Sequence, residues 1–205
     1  MGDARLLSAS FSSSASPPLL SACPGERPQA AEPPGPEMAV RTPERLGPVV
    51  LMGRSGVGKS ALCLRYIQDC FVQDHDPTIE DMHLKHTSIG GSPACLEILD
   101  TAGQELYVDL RRSWMQNGAG FLFVFSLLDR QTFDGLGTFR AELMDLYRGD
   151  PPPSVLVANK ADADSSRWAV ADEEVRALLA TWRNCIEVVY TSAQSGRNAA
   201  RAFEP

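Results

Sequence analysis

One octapeptide constrains this chain more than any other feature. Gly53-Arg54-Ser55-Gly56-Val57-Gly58-Lys59-Ser60 fits the spacing G-x-x-x-x-G-K-[ST]. It follows the apolar run Val49-Val50-Leu51-Met52 and precedes a helical stretch from Lys59 to about Cys70. A strand that turns through glycines into a helix points backbone N–H groups inward, and the helix N-terminus adds its dipole. Together they form a nest for an anion. Lys59 is suited to neutralise outer phosphates and the Ser60 hydroxyl to ligate Mg²⁺. The competing reading, a glycine-rich turn with no ligand, leaves the strand and helix context unexplained.

The segments around the turn fit an α/β sandwich. Leu84 to Ser88 and Cys95 to Leu99 read as strands joined by Gly90-Gly91-Ser92-Pro93 in a hairpin. Phe121 to Leu128 and Val155 to Ala158 are continuous apolar runs, as expected of strands covered on both faces. Ile186 to Tyr190 is the last strand. Thr132 to Tyr147 and Asp172 to Trp182 read as helices, the first stopped by Gly149-Asp150-Pro151-Pro152-Pro153. Pro48 is expected at the first position of its strand, where a missing N–H is tolerated. Strands alternating with helices predict a parallel sheet with helices on both faces.

Residues 1–45 differ in kind. Eight of the 15 prolines lie there, mixed with Ser, Ala and Gly, and no periodicity survives. Such a segment buries too little apolar surface to offset its ordering entropy, so 1–45 is expected to be a disordered arm and 46–205 the folded domain. Lys and Arg number 19 against 26 Asp and Glu, a net charge of -7 with no basic block. That argues against a nucleic-acid partner and gives no basic patch for anionic lipid, which leaves membrane association open. The longest apolar stretch falls far short of the ~20 residues that cross a bilayer. Cys23, Cys63, Cys70, Cys95 and Cys185 are scattered and odd in number, so reduced thiols and a cytoplasmic location are expected. His75, His83 and His86 are read as surface residues.

Three later motifs each close a strand. Asp100-Thr101-Ala102-Gly103-Gln104 offers Asp100 to hold Mg²⁺ through a water and the Gly103 N–H to sense a γ-phosphate. Asn159-Lys160-Ala161-Asp162 offers a carboxylate that can accept hydrogen bonds from N1 and the 2-amino group of guanine. Adenine lacks that donor pair and would leave Asp162 unpaired. Thr191-Ser192-Ala193 offers a backbone N–H to the guanine oxygen. Each motif is weak alone; their order and their strand-end positions make the set specific.

With these residues in place, Gly53 to Ala193 resembles a Ras-family small GTPase. The likeness rests on Gly56 to Leu62, Asp76-Pro77-Thr78-Ile79-Glu80-Asp81 and Leu99 to Glu105, the middle segment being of the Ras branch. The resemblance implies a P-loop G domain with a mostly parallel six-stranded sheet. It implies GTP and GDP as ligands, Mg²⁺ as cofactor, and a switch that hydrolyses GTP in signalling. The implied nucleotide contacts are Gly53, Arg54, Ser55, Gly56, Val57, Gly58, Lys59, Ser60, Ala61, Phe71, Thr78, Asp100, Gly103, Asn159, Lys160, Asp162, Ser192 and Ala193. Of these Phe71 stacks near the base, while Ser60, Thr78 and Asp100 hold the metal. Gln104 orients the attacking water, with Lys59 and Thr78 completing the catalytic set. Effectors are expected along Asp76 to His83, where Glu80 and Asp81 would meet basic partner residues, and exchange factors and GAPs follow with the family.

Several positions depart from the family. Ser55 stands where glycine is usual, so it either crowds Gln104 and slows hydrolysis or is small enough to be accommodated. His75, Met82 and His83 alter the usual effector strand, and Gln194 replaces a lysine beside the base. The last helix would begin near Arg197, yet the sequence stops at Pro205 with no cysteine for prenylation. A final helix largely missing, in a fragment or splice form, is the expectation. Two other functions remain at this point. One is a GTP-dependent interaction module that scarcely hydrolyses; the other is a small-substrate P-loop kinase, against which Asp162 and the lack of an arginine-bearing lid argue.

Overall fold

Six strands assemble into one sheet in the order β2-β3-β1-β4-β5-β6. The computed structural model describes residues 43–72, 80–101, 103 and 108–204. The strands are β1 (Glu44–Met52), β2 (Glu80–Ile89), β3 (Ser92–Thr101), β4 (Gly120–Ser126), β5 (Ser154–Asn159) and β6 (Cys185–Tyr190). All neighbours pair in parallel except β2 with β3. The helices are α1 (Lys59–Gln68), α2 (Val108–Asn117), α3 (Arg130–Asp134), α4 (Leu136–Leu146), α5 (Asp172–Thr181) and α6 (Ala199–Phe203).

The two faces of the sheet carry separate apolar layers. On one, Phe121, Phe123 and Phe125 of β4 pack with Trp114, Leu136, Leu143, Val175 and Trp182 under α2 to α5. On the other, Leu122, Val124, Ile98 and Val157 pack with Leu62, Tyr66 and Phe203 under α1 and α6. Alternate residues of β4 therefore feed opposite layers, which is why the strand reads as one unbroken apolar run. Each fully buried Phe or Leu contributes about 1.5–3 kcal/mol by leaving water.

Local geometry refines several boundaries. β1 starts at Glu44, ahead of the boundary at residue 46, and Arg45 pairs with Glu97 across β3. Pro48 lies inside β1, not at its first position; the register with β3 slips between Leu46 and Val49. That bulge is where a residue without an N–H is tolerated. The hairpin turn is Gly90-Gly91 alone, with φ of 58° and 80°, while Ser92 and Pro93 already pair in the ladder. Two successive positive φ values give the two-residue turn whose twist matches its strands. The helix read from Thr132 to Tyr147 is two segments interrupted at Gly135, and its first turn begins at Arg130 behind the cap Asp129. Helix α2 has no counterpart in the sequence reading.

Helix α6 opens at Asn198 and buries Ala199, Ala202 and Phe203. The Phe203 ring stacks on Tyr66 of α1 at 4.4 Å between centroids. The Tyr66 hydroxyl donates to Glu204 at 2.5 Å, and Thr87 donates to the same oxygen at 2.7 Å. Beyond Phe203 the same sheet face holds an apolar groove of about 310 Å³ bounded by Leu46, Val49, Leu96 and Leu122. No described helix is long and apolar enough to cross a membrane.

Candidate functional site

The strand ends that carry the four motifs lie at one edge of the sheet. Leu51 of β1 pairs with Asp100 of β3, and Ser126 of β4 pairs with Asn159 of β5. In a parallel sheet the carboxyl ends of the strands leave a crevice there, and ligands bind in it. The loop from Gly53 to Gly58 crosses this edge and delivers Lys59 at the first turn of α1.

Lys59 is 6% exposed, and its ammonium donates to the carbonyls of Gly53 at 3.0 Å and Arg54 at 3.2 Å. Burial pulls its pKa down to about 8, against the opposing pull of the Asp100 carboxylate. Beside it Asp100 is 1% exposed. Burial drives its carboxyl upward, while a hydrogen bond from Ser60 and the Lys59 charge hold it down. One carboxylate oxygen, Oδ1, has no hydrogen-bond partner. A buried carboxylate oxygen without a partner is costly unless a cation or donor completes it.

Lys59 yields a prediction on pH. The free protein holds its lysine with a value near 8, and bound polyphosphate favours the charged form and raises that value. Binding of a polyphosphate should therefore be accompanied by net proton uptake near pH 8, and affinity should fall as pH rises further. Calorimetry in buffers of different ionisation enthalpy reads the uptake; a value near zero would contradict the role given to Lys59.

A second cavity, of about 480 Å³, opens beside the loop. Phe71, Leu128, Lys160, Asp162, Arg167 and Ala193 are among its walls. Phe71 is 39% exposed there, unusual for a phenylalanine. Asn159 braces the cavity from beneath. Its Nδ2 donates to the Val57 carbonyl at 2.8 Å, and its Oδ1 accepts from Thr191 at 3.1 Å and the Ala193 N–H at 3.3 Å. Lys160, with φ of 66°, donates to the Gly56 carbonyl at 2.8 Å. These bonds join the phosphate loop to the base-side motifs. The Ala193 N–H, expected to serve the guanine oxygen, thus has a long bond to Asn159 within the chain. Ser192 is fully buried, with its hydroxyl accepting from the Ser195 N–H at 3.0 Å.

Gly103 lies directly on the phosphate loop. A Cβ built there would stand 2.4 Å from the Ser55 nitrogen and 2.5 Å from the Arg54 carbonyl carbon. Thr78 and Gln104 lie outside the described residues, as do His75, Asp76 and Ala102. Of the effector segment, Glu80 to His83 begins β2, the edge strand, with Met82 53% exposed. Glu80, read as offered to a partner, is exposed, and one of its carboxylate oxygens accepts the indole N–H of the buried Trp114 of α2 at 2.9 Å. His83 and His86 sit on opposite faces of β2, opposite Ile98 and Cys95.

The Ras family sequence profile matches residues 48–205. The chain belongs to the Ras family. It is 44% identical over 156 residues to Ras-related protein R-Ras of Homo sapiens, a match spanning 76% of this chain and 70% of that protein. To Ras-related protein R-Ras of Mus musculus it is 46% identical over 125 residues, 61% of this chain and 57% of the mouse protein, less than two thirds of its length. This Ras-family small GTPase has the expected α/β architecture, a six-stranded, mostly parallel sheet with helices on both faces. The sequence reading missed Trp114, which bonds Glu80, and the cavity walls Leu128 and Arg167. A tryptophan that buries its ring needs an acceptor for its N–H, which is the signal that Trp114 offered.

Proposed function

We propose that this Ras-family protein binds GTP and GDP with Mg²⁺ and hydrolyses GTP to GDP and phosphate. The observation that carries the metal is the unpartnered Asp100 oxygen beside Ser60 and Lys59. Asp100 and Ser60 are hard oxygen donors next to a loop suited to phosphate, the set that Mg²⁺ prefers. Ser60 and Asp100, with Thr78, would hold the ion, which supplies charge stabilisation at the transferring phosphoryl group. The chain's own residues do the rest. Lys59 meets the outer phosphates in place of the Gly53 and Arg54 carbonyls, and Gln104 orients the attacking water. Asp162 accepts from N1 and the 2-amino group of guanine, with Phe71 against the ring. The Gly103 N–H bonds the γ-phosphate and loses that partner on hydrolysis, which releases the segment and completes the switch. Effectors are proposed to add a strand along β2 from Glu80 to His83, in the cytoplasm, with exchange factors and GAPs as regulators.

A second reading, a GTP-bound interaction module with little turnover, draws on Ser55. Its backbone is packed against Gly103, one residue before Gln104. Multiple-turnover phosphate release with Mg²⁺ separates the two readings: sustained release supports the hydrolase. Ser55→Gly should raise the single-turnover rate about tenfold if the side chain crowds the water site, a change of ~1.4 kcal/mol in barrier. Equal rates would show that serine is accommodated.

A further inference from the structure

The guanidinium of Arg65 on α1 bonds to one wall of the base cavity and to the end of α1 that leads into Phe71, without lining the cavity itself. Its Nε donates to the Ala193 carbonyl at 2.8 Å and its Nη2 to the Gln194 carbonyl at 2.8 Å. Its Nη1 donates to the Asp69 carbonyl at 2.9 Å and reaches the Asp69 carboxylate at 3.3 Å. The side chain is 16% exposed. Asp69 is the left-handed cap that ends α1, two residues before Phe71. Ala193, Gln194 and Phe71 all line the cavity.

A planar fork with five fixed donors suits this task, because it sets carbonyls from two segments at once. Lysine's three donors radiate from one nitrogen and cannot span carbonyls on separate segments as the fork does. The consequence follows from peptide geometry. In a trans peptide the carbonyl of one residue and the N–H of the next point in opposite directions. With the Ala193 carbonyl drawn onto Arg65, the Gln194 N–H is turned away from Arg65. Among the described residues that N–H has no hydrogen-bond partner in the chain. The Ala193 N–H beside it has only the 3.3 Å bond to Asn159.

We propose that Arg65 is a positioning residue for purine recognition: by pinning the Ala193 and Gln194 carbonyls it aims that loop's amides at the oxygen on C6 of guanine. This rests on the guanine reading of the cavity given above. Asp162 reads N1 and the 2-amino group, and the loop held by Arg65 reads the remaining edge. Gln194, which stands where the family has a lysine, then contributes through its backbone, and its side-chain identity matters little to that contact.

The test is a cycle between residue and ligand atom, using the full chain with Mg²⁺. Dissociation constants are measured for GTP, for 6-thio-GTP, in which a poor acceptor replaces the C6 oxygen, and for ITP, which lacks the 2-amino group. The wild-type protein should prefer GTP over 6-thio-GTP by about tenfold, the worth of one or two hydrogen bonds. Arg65→Ala should weaken GTP and ITP about tenfold each yet change 6-thio-GTP less than threefold. Arg65→Lys should recover part of the GTP loss, and it carries the same comparison should the alanine variant not fold. Equal loss for GTP and 6-thio-GTP would make Arg65 a brace with no share in recognition and would overturn the proposal. No preference of the wild-type protein for GTP over ATP would instead overturn the guanine reading, and this inference with it.

Discussion

Asp162→Asn is expected to lower GTP affinity by at least about a hundredfold while creating affinity for xanthosine triphosphate. In the proposed guanine site the carboxylate would accept two hydrogen bonds, each worth roughly 1.5–3 kcal/mol as a bond to a charged group. The asparagine amide keeps one acceptor for N1–H but turns an N–H₂ toward guanine's own amino group, so two donors face each other. Xanthine carries a carbonyl at that carbon and accepts from the new amide. Xanthine opposite the native aspartate faces acceptor with acceptor and binds poorly. Asp162 lies on the wall of the cavity that also holds Phe71, so the base covers the bond when it enters. Competition binding with both nucleotides reads the exchange. Loss of GTP without gain of xanthosine triphosphate would show that Asp162 acts on the loop's shape and not on the base.

The second large effect is expected at Gly103. A methyl group there would lie 2.4 Å from the Ser55 nitrogen and 2.6 Å from the Arg54 oxygen, so backbone must move. The phosphate loop cannot easily yield, because Asn159 holds its Val57 carbonyl and Lys160 its Gly56 carbonyl. The segment after β3 is what shifts, carrying the Gly103 N–H away from the γ-phosphate and Gln104 with it. Gly103→Ala should leave GDP affinity within about threefold of wild type. It should abolish any preference for GTP and slow single-turnover hydrolysis at least tenfold, a barrier increase of ~1.4 kcal/mol or more. Hydrolysis at the wild-type rate would remove Gly103 from the switch.

The parts of this molecule that could be read from the sequence are those with local causes. The phosphate loop is legible because the glycines, Lys59 and Ser60 are contiguous. Strand β4 is legible because burial on both faces leaves no polar position from Phe121 to Phe125. Asp100, Asn159 and Asp162 could be placed because each lies at or just past the carboxyl end of a strand, and a parallel sheet brings such ends together. What remained hidden depends on contacts between distant segments. Arg65 is an ordinary helix residue by sequence, and only the fold brings residues 193 and 194, 128 and 129 positions away, within its reach. The bond from Trp114 to Glu80 joins α2 to the edge strand, and no local pattern announces it. Pro48 could be assigned to a tolerant position, but the tolerance came from a register slip that no local pattern encodes.

Displacement of labelled GTP by unlabelled GTP and ATP, with Mg²⁺ at neutral pH, tests the central claim most directly. The account predicts that ATP competes at least about a thousandfold less well than GTP, since it strands the Asp162 carboxylate and offers no C6 oxygen. Equal competition by the two nucleotides, or no uptake of either by well-folded protein, would contradict it.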